Sequence, residues 1–562
     1  MYFRLNHAAK MRHMRGAMRI ASKMLVTAFL PALVFVQLAP KPARAFIVCS
    51  LPPGQITTAF FGAGLNDSAF ASVLQPDGKI VLAGQAFSNT GSYFGVARYN
   101  PNGSLDPSFG AGGKATSQLN GGDGAHAVAL QPDGKVVVAG STEGSGGLDF
   151  RVARLNTDGS LDNSFGGNGS VAIDFQNSFD NAMAVAIQSD GKIVVSGYTE
   201  SSGTSNIAVS RCNQNGSLDA TFGSGGKVVT ALNKVDSVSS MAIQPDGKII
   251  VGGSLVDPTS NDFLLVRFNT DGSLDNSFGT NGVTTRDFFS GADAITALQL
   301  QPDGKIVAAG TTEDSAPSKA WGLARFNTDG TRDASFGAGS GATVRFVGDH
   351  TDDTPKGVAL QPNGKIVVAG FCKSGGFTGE DFAVGRYNAD GSVDTTFGSD
   401  GETTTDFCLG SDTAASVLLQ PDGKIVAAGT TVISLDGSDF ALVRYNADGS
   451  LDSTLNGVTL PPFNYCMRDN ATGNYLQFNS TTGAYLFTRC KDGFTLSGTG
   501  KVQKMGSIVM LSDKRANCVV SAGFNTGQRT GSATVMLILA PGITQTIRIN
   551  ATNPYAACSC SG

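Results

Sequence analysis

Histidine, tryptophan and charge are all scarce in this 562-residue chain. It holds four His and one Trp, and charged residues make up 15 %. Two of the His lie in the first fifteen residues, which leaves His126 and His350 in the body of the chain. Neither belongs to a His-x-x-x-His or Cys–His pattern, and no Gly-x-Ser-x-Gly occurs, so the motifs of zinc hydrolases and nucleophile hydrolases are missing. Apolar residues do not recur with a 3.6-residue period, which excludes helical repeats. No apolar run reaches the ~20 residues that cross a bilayer as a helix. Basic surface is lacking too. Residues 1–45 carry eight Lys or Arg and no acid, so their loss takes the formal charge from −5 to −13. Nucleic acid and anionic membranes call for the opposite sign.

The first 45 residues read as a signal peptide. Arg4, Lys10, Arg12, Arg15, Arg19 and Lys23 precede the apolar run Met24–Ala39, and Ala43-Arg44-Ala45 supplies the small-x-small cleavage pattern. Cleavage after Ala45 makes the product secreted or periplasmic, with no membrane span. Cys49 follows Val48, whereas a lipoprotein site wants a small residue there.

What the chain has is a period. Gln-Pro-Asp-Gly-Lys stands at Gln75, Gln131, Gln244, Gln301 and Gln420, and with one change at Gln188 and Gln361. The steps are 56, 57, 56, 57, 60 and 59 residues, the signature of a repeat architecture. Within one unit, Ala127–Leu130 reads as a strand and Gln131-Pro132-Asp133-Gly134 as a type I turn. Pro sets φ at its second position and Gly takes φ > 0 at its fourth. Lys135–Gly140 returns as a second strand, Asp149–Leu155 alternates as a third, and Val171–Phe175 forms a fourth. Four short antiparallel strands per ~57 residues describe a propeller blade.

Units start near 67, 123, 180, 236, 293, 353 and 412 and give an all-β, seven-bladed β-propeller over 46–458. Gly54–Phe60 is similar to the fourth-strand segment Gly401–Phe407, while the seventh unit runs out at Leu455-Asn456-Gly457. The spare strand at one end is the missing strand at the other, so the N-terminal strand closes the ring and removes exposed edges.

These strings, Gln-Pro-Asp-Gly-Lys-Ile-Val-Ala-Gly and Arg-Tyr-Asn-x-Asp-Gly-Ser-Leu-Asp-x-x-Phe-Gly, resemble the delta-60 repeat of bacterial exported proteins over about residues 54–457. The resemblance implies a propeller and a bacterial origin, and no activity.

After the linker Leu460–Phe463, residues 463–562 read as a small β-sandwich-like domain with strand-like runs from Tyr475 to Leu539. Five of the nine Cys fall there: Cys466, Cys490, Cys518, Cys558 and Cys560. In an exported domain they are disulfide partners in preference to metal ligands.

Charges recur at fixed stations. An Asp stands eight residues before each turn Gln (Asp67, Asp123, Asp180, Asp236, Asp293, Asp353, Asp412), and an Arg ends each third strand (Arg98, Arg154, Arg211, Arg267, Arg325, Arg386, Arg444). A residue repeated in every blade serves what all blades share, so each Asp is expected to cap a turn or pair with an Arg. Asn156-x-Asp158-Gly159-x-x-Asp162 is turn chemistry that lacks the six oxygens of a calcium loop. Trp321 replaces a Phe and is expected to be core. No catalytic residue, cofactor or metal site is assigned. The reading is a non-enzymatic, monomeric binding or structural scaffold that meets a protein or glycan on the face of its variable loops. The alternative is a lyase or hydrolase using carboxylates on one face.

Export predicts that intact-mass analysis of the protein from periplasm or culture fluid gives a chain starting at Phe46. A mass retaining residues 1–45 contradicts it.

Overall fold

The second strand of every repeat is a continuous apolar run, and the computed structural model shows why. Ile80 and Leu82 face one neighbouring blade while Val81 and Ala83 face the other, all of them fully buried. A sheet covered on both faces needs no polar alternation. Seven such inter-blade cores, one at each junction, succeed one another round a closed ring.

The structure describes residues 54–455 apart from short loop segments, and the strands between 465 and 551. The 1–45 segment, Cys49, Asp123, His350 and the linker at 460–463 lie outside the described residues. The first blade runs Ser68–Leu74, Ile80–Ser88, Gly91–Tyr99 and Lys114–Ser117, hydrogen-bonded in that order. The others follow it, and the chain is a seven-bladed β-propeller.

The Gln-Pro-Asp-Gly turns form as their chemistry dictates. Gly78 N–H donates to the Gln75 carbonyl at 2.9 Å and Gln75 N–H to Lys79 O at 2.8 Å, with Gly78 at φ +81°. The Gly at the fifth position of each second strand has a different cause. A Cβ on Gly84 would lie 1.9 Å from the Ser68 carbonyl oxygen, and one on Gly310 2.0 Å from that of Ala294. A bulge in the first strand pushes that carbonyl into the space, so only Gly fits.

The ring closes with the N-terminal strand. Gln55–Thr58 pairs antiparallel with Gly437–Tyr445, from Gln55 opposite Val443 to Thr58 opposite Phe440. Ile56 enters the core shared by the first and last blades. Thr58 accepts a hydrogen bond from Tyr99 Oη at 2.8 Å, as Thr405 bonds Tyr445 at 2.7 Å one junction earlier.

One junction departs from the expected pattern. Lys227–Ile243 is a single strand that serves as the fourth strand of one blade and the first of the next. The stretch Thr230–Ser237 has no Gly or Pro to break it. Past residue 464 the chain forms two antiparallel meanders, of four strands from Tyr465–Arg468 to Phe494–Thr499 and of five from Lys501–Met505 to Ile543–Ala551.

Two changes test the ring. Gly310→Ala must shift a strand backbone, and urea unfolding is expected to show a loss of about 3 kcal/mol. Deleting 54–60 exposes the last blade's edge and should lower the melting temperature by well over 5 °C, as expected for a loss of several kcal/mol. An unchanged melting temperature in either variant contradicts the packing described.

Candidate functional site

The residues that repeat are consumed by the scaffold. Arg98 Nε donates to Asp106 Oδ2 at 2.8 Å, Nη2 to Ser108 Oγ at 3.0 Å, and Nη1 to the Thr157 carbonyl of the next blade at 2.5 Å. Its guanidinium lies 4.6 Å from the Phe109 ring centre. The Lys of each Gln-Pro-Asp-Gly-Lys turn joins the same Asp, Lys248 at 2.9 Å from Asp275 and Lys305 at 2.8 Å from Asp333. All seven Arg repeat the three bonds, and Arg444 of the last blade reaches the Pro101 carbonyl of the first. Burial alone would raise the Asp106 carboxyl, yet the Ser108 hydroxyl and amide and the nearby Arg98 and Lys79 cations outweigh it and bring it down to about 2.

The Asp at the start of each first strand is not that partner. Asp67 Oδ2 accepts Phe60 N–H at 2.7 Å and its Oδ1 accepts Phe87 N–H at 2.9 Å, so it caps the strand that ends the preceding blade. Asp180, Asp293 and Asp412 repeat the first bond to Phe175, Phe288 and Phe407 at 2.6–2.7 Å. Asp67, Asp180, Asp293, Asp353 and Asp412 are fully buried, so they form no open carboxylate ring at the channel mouth. The Asn156–Asp162 oxygens are spent in the turn: Asp158 Oδ1 accepts the Ser160 amide and hydroxyl, and Asp162 takes Ser164 and Arg154. Trp321 is core, 1 % exposed. His126 lies on a first strand, its Nδ1 donating to the Ala182 carbonyl at 3.0 Å.

Sequence reading missed the carboxylates that gather around this capping Asp. Asp149, Asp174 and Asp180 place one oxygen each within 4.8 Å of one another, as do Asp381, Asp406 and Asp412. In each set one Asp starts a third strand, one follows a fourth strand, and one caps. Asp-Phe in those two strands was the available signal. Such sets can hold a cation or share protons. Burial is the largest influence on Asp412 and, with Asp406 and Asp381 beside it, pushes its carboxyl up to about 8 against the Thr431 and Phe407 donors. Burial likewise takes Asp293 to about 7 and Asp439 to about 6. Across the first–last junction Ala59 stands in the fourth-strand position, and Lys114 Nζ bonds its carbonyl at 2.8 Å. The described cysteines Cys212 and Cys372 are buried thiols in the cores, and burial pushes Cys212 up to about 12.

A ring of seven four-stranded blades, scaffolded by its repeated charges, defines a tandem-repeat β-propeller. Seven segments, 75–109, 131–165, 188–222, 244–278, 301–336, 361–397 and 420–455, match a family model described as a domain of unknown function (DUF5122) beta-propeller. The chain thus carries one repeat of that propeller family in every blade. No curated protein matches it in sequence. Among solved structures it is similar to virginiamycin B lyase from Staphylococcus aureus, at 12 % identity over 69 % of this chain and 98 % of that one, TM-score 0.35. Sqt1 from Chaetomium thermophilum matches at 16 % identity over 71 % and 98 %, TM-score 0.37. A polysaccharide lyase described as an ulvan lyase matches at 12 % over 70 % and 97 %, TM-score 0.42. Likeness at this level concerns the propeller fold alone.

The raised carboxyls set a pH dependence. An unfolded Asp releases its proton near pH 4, while folded Asp412 holds it to about 8, so stability falls as pH rises through that window. Below about pH 4 the Asp106 class acts in the opposite sense and stability is lost as pH falls toward 2. Melting curves are expected to peak near pH 4–5, and Asp412→Asn should flatten the alkaline side. An equal alkaline slope in that variant contradicts the assignment.

Proposed function

We propose that this is an exported bacterial protein of the delta-60 repeat type whose propeller is a non-enzymatic binding scaffold at or outside the cell surface. The observation that carries the reading is the division of labour among its residues. The Arg, Asp, Ser and Phe common to the blades are tied into the ring, whereas the segments that differ share one face. Second strands end and third strands begin there, so the variable segments Gln85–Tyr93, Ser141–Leu148, Thr199–Asn206, Ser254–Asp262, Thr311–Ala320, Phe371–Asp381 and Thr430–Asp439 all open on it. Binding specificity belongs on loops presented by a rigid frame.

A lyase or hydrolase reading draws on one observation, the carboxyl of Asp412 held protonated near neutral pH beside Asp381 and Asp406. Raised carboxyls of this kind serve as general acids elsewhere. Here the same oxygens cap backbone, which favours the scaffold.

Shortening three or more of these loops together is expected to leave the melting temperature within a few degrees and to abolish retention of the partner in cross-linking pull-downs. A variant that folds and still binds contradicts the loop face as the site.

A further inference from the structure

Every first strand carries a one-residue bulge at one station, three residues after the capping Asp. The register slips between Ala69 and Ala71 in the first blade and between Pro355 and Gly357 in the sixth, with the same slip in the other five. The residue before the slip is buried in every blade; the extra residue never is. The extra residue also changes from blade to blade: Phe70, His126, Met183, Ser239, Thr296 and Lys356 in the first six. A shared bulge with an unshared side chain re-aims that side chain for something other than blade packing. First strands of neighbouring blades meet around the ring, as the Ser72–Ser416 contact at 2.7 Å and the Thr296 Oγ1 bond to the Pro355 carbonyl at 2.6 Å show. The extra residues therefore encircle the channel mouth on the loop face.

The ring is chemically lopsided. Phe70 and His126 stand edge to face with centres 5.5 Å apart. The Ala182 carbonyl can only accept, so the His126 proton sits on Nδ1, and the Asn181 side chain is a further partner of the ring. Two blades from Phe70 round the ring, Lys356 is the one ammonium among the extra residues. It is exposed and makes no hydrogen bond or ion pair among the described residues. Desolvation of the ammonium is the main cause that lowers its pKa, Lys319 adds repulsion, and Glu380 opposes both. An exposed cation without an ion pair among the described residues draws an anion.

The same face displays aromatic rings. Phe61, Phe70 and Phe179 are 43 %, 36 % and 38 % exposed, three of the five most exposed large apolar side chains among the described residues. Phe61 leans on Tyr93 at 5.2 Å. They stand apart, after the closing strand and on the first strands of the first and third blades, amid Gly-, Ser- and Thr-rich loops. Separate apolar ring faces in polar surroundings suit the C–H faces of a chain of pyranose rings better than one apolar side chain.

We propose that the channel mouth binds an acidic glycan, with Lys356 pairing a sugar carboxylate and Phe70, Phe61 and Phe179 stacking on sugar rings. The assignment rests on the scaffold reading above and names its ligand class. It is tested by affinity electrophoresis of the secreted full chain in gels containing polygalacturonate, its methyl ester or dextran. Polygalacturonate alone should retard the protein, and Lys356→Gln and Phe70→Ala should weaken retardation ~10-fold or more, as loss of a charge-assisted contact does, with melting temperature unchanged. Full retardation of both variants overturns the site, as does no retardation by polygalacturonate, alginate or hyaluronate. Equal binding of polyglutamate, equally lost in Lys356→Gln, overturns the sugar in favour of an acidic peptide. Release of unsaturated uronate during binding leaves this site standing and refutes the non-enzymatic reading. Loss of a cross-linked partner in the loop-shortened variants but not in Lys356→Gln does the reverse.

Discussion

Each blade is held to the next by one guanidinium. It closes a turn within its own blade through the Asp and Ser eight and ten residues on, lies over that turn's Phe, and reaches a carbonyl of the blade that follows. Two buried opposite charges stabilise little by themselves, and breaking such a pair costs about 3–5 kcal/mol because a bare charge is left behind. Here every N–H that points at a neighbour is used, and the Lys of the preceding hairpin shares the carboxylate. The last of these arginines reaches the first blade, so the same interaction that spaces the blades also closes the ring. In the last blade Leu455 replaces Phe, and the closing strand supplies Ile56 to the core beside it.

This clamp determines what the rest of the sequence is free to do. With the Arg, Asp, Ser, Phe, turn and capping Asp committed, a blade varies most in its loops, in the Asp-Phe stations next to the cap, and in the bulged residue of its inner strand. All three lie on one face. The Asp sets at that face, each gathered on a buried capping Asp, are a cost of the capping device. A carboxylate that satisfies two buried N–H groups is itself desolvated, and neighbouring Asp residues push its proton affinity higher.

The propeller was legible because its causes are local and repeat. Pro-Asp-Gly turns, apolar second strands and the misplaced strand Gly54–Phe60 each state their geometry in adjacent residues, and repetition removes ambiguity. The partner of each Arg was not legible. Spacing offered two Asp per repeat, and only the fold decides between Asp106 and Asp67. The continuous strand Lys227–Ile243 was readable in principle from its missing Gly and Pro. The Asp sets and the bulge ring were hidden for another reason: their members are brought together across blades, dozens of residues apart, and a bulge leaves no residue-type signal on its own strand. Its trace is the Gly opposite, as at Gly84 and Gly310, which reads in sequence as an ordinary turn residue.

The chain divides into residues that hold the ring and residues that the ring does not need, and equilibrium urea unfolding of two variants measures that division directly. Arg267→Met removes a clamp and leaves Asp275 buried without its main partner, so the unfolding free energy should fall by about 3–5 kcal/mol. Lys356→Gln removes a cation with no hydrogen bond or ion pair among the described residues and should change it by less than about 0.5 kcal/mol. A small loss for Arg267→Met, or a large one for Lys356→Gln, would contradict the division on which the functional reading stands.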